Sequence, residues 1–205
     1  MFHGARRMGR RRSTTGLWHP RRVAEGIVVV AYSKEWPTLF AGMGRRLRRE
    51  LGDVALRIDH IGSTAVPGLD AKPAIDVQVS VPSFEPLAVY REPIERAGFV
   101  HRADHPELTK RYFRERPGER RTHIHVRRAG SFSEQFALLF REYLRAHPEH
   151  AAKYAGLKHS LAKRFAKPEQ RHDYVEAKVS FIWDTIHLAD EWAQRTGWQP
   201  PPSDC

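Results

Sequence analysis

The stretch His60-Ile-Gly-Ser-Thr-Ala-Val-Pro-Gly-Leu-Asp-Ala-Lys-Pro-Ala-Ile-Asp-Val-Gln-Val-Ser-Val81 decides the fold of this chain. It joins the end of one apolar run, Val54 to Ile61, to a second apolar run from Ala74 to Val81. The residues between the two runs are rich in Gly, Ser and Pro, which are typical of turns. The pattern therefore predicts strand, polar loop, strand, with Asp76 on the second strand.

The polar loop gathers groups that suit a phosphate and a divalent metal. Gly62, Ser63 and Thr64 offer backbone N–H groups and hydroxyls, Lys72 offers a cation, and Asp76 offers a carboxylate. We therefore expect the first four to bind the phosphates of a ligand. A purely structural role also stays open, because Ser-Thr and Pro-Gly pairs form ordinary turns and a buried Asp can cap a neighbouring group.

The segment Thr122-His-Ile-His-Val126 carries the second chemical signal. It is the returning arm of a predicted hairpin whose turn is Pro117-Gly118. Because side chains alternate along a strand, His123 and His125 point to the same face of the sheet. Two imidazoles on one face are frequent metal ligands, but they also suit acid–base work on a phosphate or a partly buried polar role.

Three further side chains are candidates for the same site. His60 directly precedes the Gly-Ser turn, where it could act in catalysis or equally be a structural histidine whose ring bonds a nearby carbonyl. Arg111 and Arg114 lie on the hairpin arm that opposes the histidine pair. Guanidinium groups there would neutralise a substrate phosphate or carboxylate, although outward-facing arginines are common on hairpins.

The run from His60 to Val81, with Tyr32-Ser-Lys-Glu-Trp-Pro37 and Thr122-His-Ile-His-Val126, resembles the GrpB (UPF0157) family over about residues 27–185. That family is placed in the nucleotidyltransferase-like superfamily, and a related domain is found fused to some dephospho-CoA kinases. The resemblance implies an α+β fold: a mixed sheet flanked by helices, with a helical C-terminal third.

The superfamily pattern is Gly-Ser, a short spacer, then Asp-hydrophobic-Asp/Glu, with a third carboxylate on a later strand. Paired carboxylates of this kind hold Mg²⁺ ions that bridge the triphosphate and activate the attacking oxygen. Gly62-Ser63 and Asp76 match the pattern, but Gln78 occupies the place of the second carboxylate. A neutral Gln beside Asp binds a hard dication poorly, which argues against two-metal transfer.

Two functional hypotheses follow from this departure. In the first, the protein is an enzyme that acts on a nucleotide or another phosphorylated small molecule, with Asp76, His60 and His125 as catalytic residues. If the histidine arm lies beside the Asp76 strand, then Asp76, His123 and His125 form one metal site, which favours Zn²⁺ or Mn²⁺ over Mg²⁺. In the second hypothesis, the chain is a binding module that keeps the fold without the two-carboxylate chemistry.

Composition limits the class of protein. The length of 205 residues suits one domain with a full core, and the mean hydropathy of −0.60 with 40% apolar residues is typical of soluble globular proteins. No apolar run approaches the length of a membrane span. The single cysteine, Cys205, excludes a disulfide framework, so we expect a cytoplasmic protein. The sequence has no Walker loop, no Gly-x-Gly-x-x-Gly motif and no Ser elbow, so neither an ATPase nor a dehydrogenase is supported.

The net charge of +11 is concentrated at one end of the chain. Residues 1–24 contain seven arginines and no acidic residue, so the rest of the chain, with 28 basic and 24 acidic residues, carries only +4. We therefore predict a disordered Arg-rich tail at 1–24, one domain at 25–193, and a flexible proline-rich tail at 194–205. Binding to nucleic acid is expected only weakly, through the basic tail.

Periodicity predicts the helices around this site. After a first strand at Ile27–Tyr32, an amphipathic helix begins behind Ser33 and ends at Gly52. Three C-terminal helices begin behind Ser131, at Pro148 and at Pro168. Their apolar stripes indicate core packing, and their lysines, among them Lys153, Lys158 and Lys163, lie on the polar side and are expected to be solvated. A lysine or tyrosine from these helices could still close over the site.

Overall fold

The computed structural model describes residues 26–205, so the predicted Arg-rich tail at 1–24 lies outside the described residues. Within the described part of the chain, the main elements are five strands and six α-helices. The strands are β1 (Arg57–Ile61), β2 (Ile75–Val81), β3 (Phe99–His101), β4 (Arg111–Glu115) and β5 (Thr122–Arg128). The helices are α1 (Glu35–Leu51), α2 (Ala88–Arg96), α3 (Phe132–Ala146), α4 (Pro148–Arg164), α5 (Arg171–Glu176) and α6 (Val179–Thr196).

The five strands form one mixed sheet in the order β1-β2-β5-β4-β3. β2 and β5 run parallel, and the other neighbouring pairs run antiparallel. The predicted α+β class with a mixed sheet is confirmed. β5 also lies directly beside β2, so the histidine arm is a neighbour of the strand that carries Asp76.

One face of the sheet packs against α1 and α2. The alternating pattern of β2 and β5 sends their β-branched residues to this face, where they are buried. The α1 stripe meets them there, and α1 ends at Gly52, whose φ of 51° suits glycine. The cluster is formed by Trp36, Phe40, Leu47, Ile58, Val77, Val79, Tyr90, Ile94, Ile124 and Val126, among other buried residues.

The opposite face of the sheet, here called the site face, is covered in part by α3. Ser131 caps this helix as predicted, since its Oγ accepts a hydrogen bond from the Glu134 N–H at 3.3 Å. α3 contacts β1 and β5 and packs against α4 and α6. The three helices share a second apolar cluster, which includes Leu144, Tyr154 and Ala189.

Two predicted elements differ in the structure. Residues 27–32 do not form a strand in the sheet; they make an isolated bridge, Val30 with Ala71, because their partner is a loop and not a strand. The helix predicted from Pro168 is divided into a 3₁₀ turn, α5 and α6. This division lets α5 bury Tyr174 against Ile27 and Leu161, while α6 packs on α3.

The last residues of the chain, predicted as a flexible tail, return to the outer edge of β1. The Ser203 hydroxyl accepts a hydrogen bond from the Ile58 N–H at 2.9 Å, and Asp204 Oδ2 accepts one from the His60 N–H at 2.8 Å. The Cys205 N–H donates to the Ile58 carbonyl at 3.1 Å. These bonds use backbone groups that an edge strand would otherwise expose.

None of the helices among residues 26–205 combines the length and the apolar composition needed to cross a lipid bilayer.

Candidate functional site

Strand pairing places Asp76 and the histidine pair side by side in the sheet. Asp76 of β2 is the Cα partner of His123 in β5, and His123 is in turn the partner of Arg114 in β4. His125 lies two residues along β5, so its side chain emerges on the same face. All four side chains therefore belong to the site face.

Asp76 and the two histidines form a compact cluster. Asp76 Oδ1 lies 2.9 Å from His123 Nδ1 and 3.2 Å from His125 Nε2. One ligand atom from each residue falls within 4.8 Å of the other two. The side chains of Asp76, His123 and His125 keep 26%, 23% and 13% of their area exposed, so a ligand from solvent can reach them.

The electrostatics of this cluster suit a cation. Burial opposes ionisation of Asp76, but the hydrogen bonds from His123 and His125 outweigh burial and hold its pKa well below the usual range. Burial lowers the pKa of His125 to about 4, although Asp76 opposes that shift. At neutral pH the cluster is thus an ionised carboxylate beside a neutral His125 imidazole, and a metal bound there would take the place of the protons that the two ring nitrogens share with Asp76 Oδ1.

The donor set fits a divalent transition metal. Ligands at about 2.0–2.2 Å from a metal, separated by right or tetrahedral angles, lie about 2.8–3.6 Å from each other. The two distances from Asp76 Oδ1, 2.9 and 3.2 Å, fall within that range. One carboxylate with two imidazoles favours Zn²⁺ or Mn²⁺ over Mg²⁺, which prefers oxygen ligands.

Gly62 sets the position of the Asp76 carboxylate. Its φ is +71°, and a Cβ added there would lie only 2.7 Å from Asp76 Oδ2. The neighbouring Ser63 is partly exposed, and its side chain lies close enough to Tyr154 of α4 to oppose the rise that burial causes in the pKa of the Tyr154 hydroxyl. The Gly-Ser pair therefore contacts the carboxylate on one side and the helical layer on the other.

The side chain of Gln78 binds the backbone of α3 and does not serve as a second metal ligand. It is fully buried on the site face, and its Nε2 donates to the Glu134 carbonyl of α3 at 3.4 Å. The carboxylate beside it in the sheet, Asp59, is the Cα partner of Gln78 but binds Arg57 at 2.9 and 3.0 Å. The described residues thus offer one carboxylate to the cluster, not the pair that two-metal chemistry requires.

His60 and Thr64 contact each other and are not part of the Asp76 cluster. His60 faces α1, where its ring stacks on Phe40 with 4.7 Å between centroids, and its Nε2 lies 3.0 Å from Thr64 Oγ1. Thr64 is itself buried and donates to the Ala74 carbonyl at 3.3 Å. The catalytic role predicted for His60 and the ligand contact predicted for Thr64 are not supported by this placement, because β1 turns His60 to the core face.

Arg111 also lies off the site face. It is the Cα partner of Val126, a core residue, and its guanidinium lies 4.5 Å from the centre of the Phe84 ring. Arg111 and Arg114 are three residues apart on one strand, so they must point to opposite faces. Their prediction as a pair is therefore corrected: Arg114 remains beside the site, and Arg111 does not.

Three lysines from different segments meet at this end of the sheet. Lys72 Nζ and Lys178 Nζ lie 5.1 and 4.6 Å from the centre of the Tyr174 ring. Lys158 is buried, with its Nζ 4.6 Å from the Tyr154 ring, and it donates a hydrogen bond to the Asp70 carbonyl. The prediction that Lys158 is solvated is therefore wrong, because its side chain is buried. We call Lys72, Lys158 and Lys178 the lysine cluster.

The lysine cluster carries positive charge that the nearby carboxylates of Asp70 and Asp76 offset only in part. Burial and then repulsion by Lys178 lower the pKa of Lys158 to about 7. Burial, followed by the charges of Lys178 and Arg171, lowers the pKa of Lys72 to about 8. Burial also lowers the pKa of Lys178, while the charge of Asp76 opposes the shift. The lysines therefore lie within electrostatic reach of one another and of the Asp76 cluster, where an anion would stabilise them.

Sequence patterns did contain a weak sign of these missed residues. Tyr154 and Lys158 are four residues apart on α4, so they lie on the same side of the helix. Tyr112 is a further missed residue: it is the Cα partner of His125, and its ring centroid is 5.5 Å from that of His125. Its alternation with Arg114 along β4 is the signal that could have found it.

Comparison with known proteins agrees with the sequence motifs. A family model described as "GrpB protein" matches residues 26–187. The UPF0157 protein YqkA of Bacillus subtilis is 32% identical over 174 residues, which cover 85% of this chain and 49% of that protein. A dephospho-CoA kinase of Mycolicibacterium paratuberculosis is 35% identical over 88% of this chain and 50% of its own length. The chain therefore spans about half the length of these two relatives.

A solved structure has the same fold. The crystal structure of a conserved GrpB protein from Enterococcus faecalis superposes with a TM-score of 0.72 at 32% sequence identity. The match covers 80% of this chain and 99% of that chain. Together with the family match over most of the described residues, it shows that this chain belongs to the GrpB family.

Proposed function

We propose that this protein binds the phosphates of a nucleotide, or of a similar phosphorylated small molecule, beside a divalent metal held by Asp76, His123 and His125, and that it transfers a nucleotidyl group. The observation that carries the proposal is the meeting of this cluster with the lysine cluster. Its support is that the charge of Asp76 raises the pKa values of both Lys72 and Lys178 against the effect of burial. A cytoplasmic location belongs to the same proposal and is supported by the single cysteine.

Each cluster has a separate task in this proposal. A bound Zn²⁺ or Mn²⁺ supplies Lewis acidity and a positive charge for the phosphate oxygens. The lysine cluster binds the remaining phosphate charge, and the backbone at Gly62 and Ser63 offers N–H groups next to the carboxylate. Ser63 lies near Tyr154, so in this proposal the loop and the helical layer form two walls of one phosphate site.

The proposed reaction is substitution at the α-phosphorus of a nucleoside triphosphate. A hydroxyl oxygen of the acceptor forms the new P–O bond, and the bond between the α-phosphorus and the oxygen that bridges to the β-phosphate breaks. Pyrophosphate leaves with that electron pair and carries away the hydroxyl proton. The chain contributes mainly position and charge to such a reaction, which needs little covalent chemistry from the protein.

A thermal-shift titration of the full chain tests the proposal. The ligands are ATP, CTP, UTP and dephospho-CoA, each with Mg²⁺, Mn²⁺ or Zn²⁺, and the variants are Asp76→Asn and His125→Ala. A ligand at 100 times its Kd stabilises the folded state by about 2.7 kcal/mol. We expect joint stabilisation by a nucleotide and Mn²⁺ or Zn²⁺ that both variants lose and that the exposed-site control His187→Ala keeps. No stabilisation by any pair of nucleotide and metal would contradict it.

A second candidate function is a non-catalytic module that binds an anion. The observation that favours it is Gln78, which is buried under α3 where the superfamily pattern has a carboxylate. This candidate predicts stabilisation by ATP without metal, unchanged in Asp76→Asn and lost in Lys178→Gln. Product analysis with radiolabelled ATP and an acceptor then separates the two candidates, because only the enzyme releases pyrophosphate.

A further inference from the structure

A groove of about 360 Å³ lies on the site face next to the Asp76 cluster. Four of the side chains that line it are arginines. They are Arg102, Arg114, Arg116 and Arg121. Val100 and Pro117 contribute apolar surface. The volume is in the range of small-molecule sites, at its lower end.

The sheet connects this groove to the cluster. Arg114 is the Cα partner of His123 on one side and of Val100 on the other. Asp76, His123, Arg114 and Val100 thus form one row on one face, and adjacent strands are about 4.8 Å apart. The groove therefore begins one strand away from the cluster.

The groove carries an excess of positive charge. Its one lining carboxylate, Glu115, already accepts bonds from Arg114 at 2.8 Å and from the Thr122 N–H at 3.0 Å. Arg102 is likewise paired, with Asp104 at 3.1 Å. Because Arg114 and Arg102 are already paired with carboxylates, the positive charge that favours an anion in this groove comes from Arg116 and Arg121.

Arg121 also connects the groove to the lysine cluster. The Arg121 carbonyl accepts a hydrogen bond from the N–H of Ile75, three residues after Lys72, at 3.1 Å. The two cationic regions are therefore neighbours, yet they are built differently. The lysines are point charges packed on aromatic rings, whereas the groove offers guanidinium forks, which match the planar edge of a phosphate.

We propose that this groove is a second anion site, which binds the phosphate monoester of a small-molecule acceptor and directs the acceptor toward the Asp76 cluster. The acceptor role rests on the proposed function, but the binding of a phosphate monoester in the groove does not. The volume suits a sugar phosphate, and the row from Val100 to Asp76 gives the direction of approach.

Isothermal titration of the full, metal-free chain with ribose 5-phosphate tests this site. We expect binding that uncharged ribose does not reproduce, and a loss of at least tenfold in affinity in Arg114→Gln/Arg121→Gln. The matched control Arg49→Gln removes an exposed arginine of α1, on the other side of the sheet, and should leave the affinity within twofold. Circular dichroism of each variant verifies folding.

Three outcomes would overturn the assignment. The first is equal binding of ribose and ribose 5-phosphate. The second is that Lys158→Met/Lys178→Gln loses ribose 5-phosphate binding while the arginine variant keeps it. The third is a preference for an oligothymidylate without terminal phosphate, which would indicate that the groove binds a nucleic-acid backbone. The test is independent of the proposed function. Ribose 5-phosphate binding that persists in Asp76→Asn supports the groove even if no nucleotide binds with metal.

Discussion

Gly62 and Asp76 fit together so closely that the glycine has room for no side chain. A Cβ at position 62 would lie 2.7 Å from Asp76 Oδ2 and 3.1 Å from Asp76 Cβ. Contacts below about 3 Å with such atoms force one partner to move. The Gly-Ser turn is therefore more than a convenient loop, because it sets where the carboxylate faces the two histidines.

Gly62→Ala should weaken metal binding by at least about tenfold and destabilise the fold by about 1–3 kcal/mol, because it adds both backbone strain and a clash. Gly68→Ala is the matched control, since Gly68 has a similar φ of +76° but nothing within 4 Å of an added Cβ. Gly68→Ala should show only the loss of stability that comes from backbone strain. Urea unfolding and a Zn²⁺ competition assay measure the two effects. Equal metal affinity in both variants would contradict the positioning role of Gly62.

Asp76→Asn should reduce Zn²⁺ or Mn²⁺ affinity by about 100-fold or more, because it replaces the single carboxylate of the cluster with a neutral amide. The chain should remain folded, since the amide is nearly the same size and the site is partly exposed. Asp184→Asn, on the exposed side of α6, is the control. Competition with a chromophoric chelator measures the affinity. Unchanged affinity would mean that the histidines bind metal without Asp76, or that the site lies elsewhere.

The lowered pKa of Lys158 predicts that the folded state becomes more stable as the pH rises. Its pKa is about 7 in the folded state and is near 10.4 in an unfolded chain, so the unfolded state holds more protons between these values. Stability should therefore increase with pH across this window, by up to about 1.4 kcal/mol per unit from this group. Lys158→Met should lose that part of the slope, and the exposed-site control Lys163→Met should keep it. Urea unfolding at pH 7, 8 and 9 provides the comparison, and identical slopes would refute the assignment.

The lowered pKa of His60 predicts a loss of stability on the acid side of the pH range. Burial lowers its pKa to about 4, below the unfolded value of about 6.5. The stability that comes from its neutral ring is thus complete above pH 6.5 and is lost as the pH falls toward 4, at up to about 1.4 kcal/mol per unit.

His60→Asn should flatten that acid slope and leave metal affinity unchanged, because His60 lies on the core face of β1. The measurements are unfolding at pH 7, 6 and 5 and the same chelator assay, with His187→Ala as control. A loss of metal binding in folded His60→Asn would contradict the separation of His60 from the metal site.

Local patterns were sufficient for much of this protein. Alternation along a strand placed His123 and His125 on one face, and the apolar run after Pro73 placed Asp76 on a strand. The α1 stripe ended at Gly52, and Ser131 capped α3, as predicted. These features depend on neighbours a few residues apart, whose spacing is written in the chain.

Other features depended on contacts between distant segments. The choice of β5 as the partner of β2 joined residues 47 positions apart in sequence, Asp76 and His123. The face of β1 that receives His60 was decided by the packing of α1. Lys158 and Lys178 lie near Lys72 because α4 contacts the loop at Asp70 and because Lys72 and Lys178 both pack on Tyr174 of α5. The sequence alone determined which chemical groups the chain offers and on which local face each one lies. Only tertiary structure decided which of them meet, because long-range strand pairing and helix packing are selected by the burial of the whole core.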